Sequence, residues 1–174
     1  MKHMSMLVRI ARKIAKTPEF VGQLPAIGYH GGNWDKHGGG IRGILPSGSQ
    51  ENAEFSTSWG SFQNVVNITF SREDAEDWMW ASTHDLSEPG ILYEIDMKKL
   101  DQMKFRPNDL AEQESDFPME DDTWTPNKIV EFLNHDVKSG LTRDVISYEG
   151  PISGIAISAI WRYDDPDSEP VRVK

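Results

Sequence analysis

Val65-Val66-Asn67-Ile68-Thr69-Phe70-Ser71-Arg72-Glu73-Asp74-Ala75 is the stretch on which the fold class turns. Its first six residues are rich in β-branched and aromatic types, which fit a pleated strand. Ser71 suits a helix N-cap, because its hydroxyl can accept one of the N–H groups left over at a helix start. Asp74, three residues on, makes an acidic variant of a capping box. The spacing predicts a helix over 72–82. Its apolar stripe is Ala75, Trp78, Met79 and Ser82, broadened by Trp80 and Ala81, with Trp78 and Trp80 expected in the core.

Downstream, Pro89-Gly90 reads as a turn, and Ile91 to Met97 alternates as a strand with Leu92 facing opposite to Ile91 and Tyr93. Pro126 to Val137 reads as a second helix, with Ile129, Val130, Leu133 and Val137 on one face and Thr125 or Thr123 as its cap. Asp144 to Tyr148 and Ile157 to Tyr163 read as strands around a corner at Glu149-Gly150-Pro151-Ile152. The tail from Asp164 is polar and is expected to be mobile, with Val171 and Val173 as possible docking points.

Upstream, residues 4–16 have the period of a basic amphipathic helix, ended by Thr17-Pro18. The segment from Gly28 to Gly60 is rich in Gly, Ser and Asn and reads mostly as loop. Short strands are possible at Ile41 to Leu45 and Phe55 to Trp59. Strands flank scattered helices without regular β-α-β alternation, so the expected class is α+β with a largely antiparallel sheet.

With 174 residues, 37% of them hydrophobic and six of them Trp, the chain can build a core. A single domain over 1–174 is expected, with the N-terminal helix inside 1–19 and a polar tail over 164–174. There is no cysteine. That excludes disulfides, thiolate metal sites and a Cys nucleophile, and it suits a reducing cytoplasm. No apolar run reaches the roughly 18 residues of a membrane span, so no membrane partner is expected.

The formal net charge of −10 repels phosphate backbones and disfavours nucleic acid as a partner. The charge is uneven: Lys2, Arg9, Arg12, Lys13 and Lys16 open the chain, and Asp109, Glu112, Glu114, Asp116, Glu120, Asp121 and Asp122 form an acidic block. The phosphate-loop pattern is absent, and Gly38-Gly39-Gly40 lacks the strand–helix context of a dinucleotide fingerprint. His30, Asp35 and His37 are ligand types without an evident third partner, so no metal is expected.

Three pieces then fall in a recognisable order. Tyr29-His30-Gly31-Gly32 comes first, Ile68-Thr69-Phe70-Ser71-Arg72-Glu73-Asp74-Ala75 second, and Asp144 to Tyr163 last. Over roughly 26–163 the set resembles the ADP-ribosyltransferase superfamily. It is closest in style to the histidine-tyrosine-acid branch of poly(ADP-ribose) polymerase catalytic domains and rifampin-modifying transferases. The resemblance implies a split, mostly antiparallel sheet whose cleft holds NAD. His30 would bond ribose hydroxyls, and the Gly31 backbone would meet the nicotinamide carboxamide.

The acid beside the cationic sugar would be Asp144, with Glu149 second and Asp109 third. Thr69 stands where the branch has Tyr, so Phe70, Tyr93, Trp59 or Trp34 would supply the stacking ring. The implied catalytic set is His30, Asp144 and Thr69. The implied cofactor-binding set is Tyr29, His30, Gly31, Gly32, Phe70, Ser71 and Tyr93. Ser56-Thr57-Ser58 is faintly like the serine-threonine-serine strand of toxin-type transferases.

These types suit the chemistry. Loss of nicotinamide develops an oxocarbenium-like sugar, which a fixed carboxylate stabilises. Histidine can donate to and accept from hydroxyls. The implied activity is NAD-dependent mono-ADP-ribosyl transfer to a protein or small-molecule acceptor. Two alternatives stand beside it: an acidic interaction or inhibitor protein of phage- or toxin-like effector type, and an inactive NAD-binding pseudoenzyme.

Overall fold

A computed structural model describes residues 22–34, 42–46, 64–82, 88–107, 117–118, 123–138 and 145–174. In chain order the elements are β1 (Ile27–Asn33), β2 (Gly43–Ile44), β3 (Val65–Thr69), α1 (Arg72–Ser82), β4 (Gly90–Asp96) and β5 (Phe105–Pro107). There follow α2 (Pro126–Lys138), β6 (Val145–Glu149), β7 (Ile152–Ser153), β8 (Ile157–Tyr163) and β9 (Val171–Arg172). One-turn 3-10 segments lie at Met97–Lys99, Gln102–Lys104 and Gly154–Ala156.

Seven strands form one sheet in the order β5-β6-β3-β1-β4-β8-β9, and β2 pairs with β7 in a small second sheet. Every pairing is antiparallel. The α+β class with a mostly antiparallel sheet is therefore as the sequence indicates.

The two faces of the large sheet have different covers. On one, Ile68, Tyr93, Ile146 and Ile160 meet Ile129, Phe132 and Leu133 of α2 in the principal core. On the other, Leu92 and Tyr163 meet Ala75 and Met79 of α1. Leu92 thus faces away from Ile91 and Tyr93, as the alternation in β4 requires.

The helix α1 has the bounds read from the sequence. Ser71 Oγ accepts from the Asp74 N–H at 3.2 Å, and the Ser71 carbonyl accepts from the Ala75 N–H at 3.1 Å. In α2, Thr125 Oγ1 accepts from the Lys128 N–H at 3.3 Å. Both caps occupy helix-start donors that have no partner within the helix.

Three readings need correction. The first concerns Ile27–Asn33, which lies largely inside the supposed loop of Gly28 to Gly60 yet is a seven-residue strand in the sheet interior. Its glycines disfavour a strand intrinsically, but packing demands them. A Cβ on Gly31 would lie 2.1 Å from the Ala75 carbonyl oxygen, and one on Gly28 would lie 2.5 Å from Ile68 Cγ2.

The second concerns Trp78, which is 53% exposed. Ala75 and Met79 make the contact with the sheet, and Trp78 is turned too far round α1 to join them. Trp80 is half-buried and meets Tyr163 edge-on, with centroids 6.1 Å apart.

The third concerns the tail, which pairs with the sheet. Trp161 lies opposite Arg172, the Val173 N–H donates to the Ile160 carbonyl at 2.8 Å, and Lys174 Nζ reaches the Gly154 and Ile157 carbonyls. Val171 and Val173 themselves stay exposed, at 55% and 40%. The 4–16 helix, Phe55 to Trp59 and the charged residues of the acidic block lie outside the described residues. Among the described residues, no helix is long and apolar enough to cross a membrane.

Candidate functional site

The pairing of β1 with β4 runs the whole length of β1, from Ile27 opposite Asp96 to Asn33 opposite Gly90. Pairing with β3 consists of one registered pair, Tyr29 opposite Thr69. Beyond it the ladder is not continued, and the side chain of His30 bonds across. Its Nδ1 lies 2.7 Å from the main-chain oxygen of Asn67. Asn67 is held from the other side too, since Ser147 Oγ donates to its Oδ1 at 2.9 Å.

A carbonyl oxygen only accepts, so Nδ1 of His30 carries the hydrogen in this bond. Burial pushes the imidazole pKa below its ordinary value, opposed by the bond to Asn67. A neutral ring with the proton on Nδ1 has its lone pair on Nε2. The ring is tilted 36° to that of Tyr93, at a centroid distance of 6.0 Å.

Adjacent residues on a strand point to opposite faces, and this divides the residues inferred from the resemblance. His30 points with Tyr93 to the side of the principal core, and Phe70 is half-buried against that core. Tyr29 packs against the α1 core. Thr69, opposite Tyr29, is 4% exposed, and its Oγ1 accepts from the Ser71 N–H at 3.3 Å. Thr69 and His30 therefore lie on opposite faces.

Gly31 faces α1 and Gly32 is buried in the strand. Tyr93 is fully buried beneath His30, and the lack of solvation pushes its phenol pKa well up. Ser71 caps α1. Trp34 is half-buried against the principal core, with the Arg162 guanidinium 5.0 Å above its ring.

Asp144, Asp109 and Trp59 lie outside the described residues, as do Ser56-Thr57-Ser58. Val145, which follows Asp144, pairs with Thr69. Glu149 sits at the other end of β6, opposite Val65, and its Oε1 is 3.2 Å from Arg106 Nε. Four residues of strand put it roughly 13 Å from the Thr69 end.

The α1 face also holds a polar group that the sequence reading did not single out. Glu94 lies opposite Tyr29, and its Oε1 accepts from Ser158 Oγ at 3.0 Å. Burial, reinforced by Glu94 and opposed by Arg72, raises the Tyr29 pKa. Arg72 donates to Glu76 and to the Tyr163 hydroxyl, each at 3.0 Å, and its guanidinium lies 4.8 Å from the Trp161 ring centroid. Tyr163 in turn donates to Glu76 at 2.5 Å, and burial is the chief reason its pKa is pushed up to about 12. The available signal was Glu94 itself, a carboxylate interrupting the apolar run of β4.

Among the described residues, no group of three or more His, Asp or Glu could hold a metal ion. No family model and no curated protein matches the chain. Among solved structures it is similar to EcPltA, with 14% identity and a TM-score of 0.44, over 89% of this chain and 85% of that one.

Proposed function

We propose that the chain is an NAD-dependent mono-ADP-ribosyltransferase, which releases nicotinamide and passes ADP-ribose to a protein or small-molecule acceptor. The observation that carries this reading is the anchored imidazole of His30. It sits on a glycine-rich strand where the β1–β3 ladder stops, with Nδ1 bonded to Asn67. A neutral Nε2 is an acceptor suited to a ribose hydroxyl and unsuited to a phosphate oxygen.

In this reading NAD is the substrate that supplies the ADP-ribosyl group. Breaking its nicotinamide–ribose bond leaves positive charge on the sugar, and Asp144 is assigned to stabilise that charge. Its chain neighbour Val145 belongs to the row that runs through Thr69 to Tyr29, which supports Asp144 over the distant Glu149. Thr69, whose hydroxyl bonds the Ser71 N–H, is left a supporting role, and the stacking ring falls to Phe70 on the side of His30. The acidic charge disfavours a nucleic-acid acceptor, and the lack of cysteine suits the cytoplasm.

The test is incubation with labelled NAD while nicotinamide release is followed. His30→Ala and Asp144→Ala are each expected to lower release by about 100-fold or more, the usual cost of losing a group that stabilises charge in the transition state. Binding of NAD without release would make the chain an inactive NAD-binding protein. No binding at all would end both readings.

A further inference from the structure

The two ends of β8 carry opposite charge. At its start, the turn Gly154–Ala156 presents Ile155, which is 79% exposed. This is no loose loop tip. Ser153 Oγ accepts from the Ile155 N–H, the Gly154 N–H donates to the Arg42 carbonyl at 3.0 Å, and Lys99 Nζ holds the Ile155 carbonyl at 3.2 Å. Lys174 Nζ donates to the Gly154 carbonyl at 2.8 Å and to the Ile157 carbonyl at 2.7 Å. Lys98 is exposed beside Lys99, and Asp96 pairs with Lys99, its Oδ2 3.6 Å from Nζ. The result is a fixed apolar knob with a cationic rim, on a chain whose net charge is −10.

At the far end of β8, roughly 20 Å away along the strand, the chain turns through Asp164, Asp165, Asp167 and Glu169. Asp165 orders this turn by accepting from the Asp167 N–H and from Ser168 Oγ. Arg162 pairs with Asp164 and leaves the other carboxylates in excess.

We propose that the lysine-rimmed Ile155 turn docks on the Asp164–Glu169 turn of a second copy, so that molecules associate head to tail. Charge complementarity chooses the occupant, and the apolar knob supplies a central anchor within a polar rim. Used head to tail, with one knob on one turn, the contact is heterologous and leaves a knob and a turn open at the ends of each assembly.

Sedimentation equilibrium of the full chain at low ionic strength tests this. The average mass should rise with concentration past that of a dimer. It should return to the monomer in about 1 M salt, where screening shortens to ~3 Å. Ile155→Glu should weaken association at least tenfold, and so should the double change Asp167→Lys with Glu169→Lys, each with unchanged circular dichroism. Mixed together, the two variants should form a one-to-one dimer and nothing larger, since one intact knob meets one intact acidic turn. A wild-type chain that stays monomeric at every concentration would overturn the proposal. So would undiminished association of either variant, or a mixture that forms no dimer.

Discussion

Nδ1 of His30 and the main-chain oxygen of Asn67 stand 2.7 Å apart, and this bond replaces the ladder that β1 and β3 do not continue. The imidazole is both part of the sheet and the centre of the candidate site. Its titration is therefore expected to reach stability and function together.

The unfolded chain's imidazole takes its proton near 6.5, whereas the folded one takes it only at lower pH. Between those two values the unfolded state holds more protons, so stability falls as pH drops through that window and is flat above it. Thermal melts across this range should show the decline in the wild type and not in His30→Gln. Nicotinamide release should fall as pH passes through the lower, folded value, because a protonated Nε2 can no longer accept.

Gly31→Ala places a methyl 2.1 Å from the Ala75 carbonyl oxygen and 2.9 Å from Met79 Cβ. The helix backbone cannot yield as a flexible side chain would, so a loss of about 3 kcal/mol is expected. Chemical denaturation measures it. A variant as stable as the wild type would mean that α1 sits farther from β1 than described.

Thr69→Val keeps the shape of a buried side chain and removes the hydroxyl that accepts from the Ser71 N–H. A loss of about 1 kcal/mol follows from one such bond. Nicotinamide release should stay within about twofold, measured at a temperature where both chains are folded. A collapse of release to the level of His30→Ala would return Thr69 to the catalytic set.

The two candidate acids should separate cleanly. Glu149→Gln touches an exposed pair with Arg106, and such pairs contribute about 1 kcal/mol or less. It should leave nicotinamide release near wild type, while Asp144→Asn abolishes it. The reverse pattern would put the acid at the other end of β6.

The legible elements were those whose local signals agreed with their packing. Ser71 and the run before it marked β3 and α1, and Thr125 marked α2. The strand β1 was hidden because Gly28, Gly31 and Gly32 suppress the usual strand signal, and the cause of Gly28 and Gly31 lies in partners distant in sequence. Trp78 was misplaced because apolar spacing does not tell which residue a close helix–sheet approach will leave outside. In the candidate site, the motif singled out His30, but its bond to Asn67 depends on a strand distant in sequence. The opposed faces of His30 and Thr69 depend on the register of Tyr29 with Thr69, which neither strand announces alone.

The contact of Gly31 with α1 also has a mechanical meaning. The helix α1 continues from β3 through Phe70 and Ser71, yet it rests on β1, and Met79 packs where Gly31 and Gly90 leave room. It therefore acts as a splint across the join, covalently part of one half of the sheet and wedged on the other. The spacing between α1 and β1 is set by the thickness of two glycines, and a single added carbon on either would reset it.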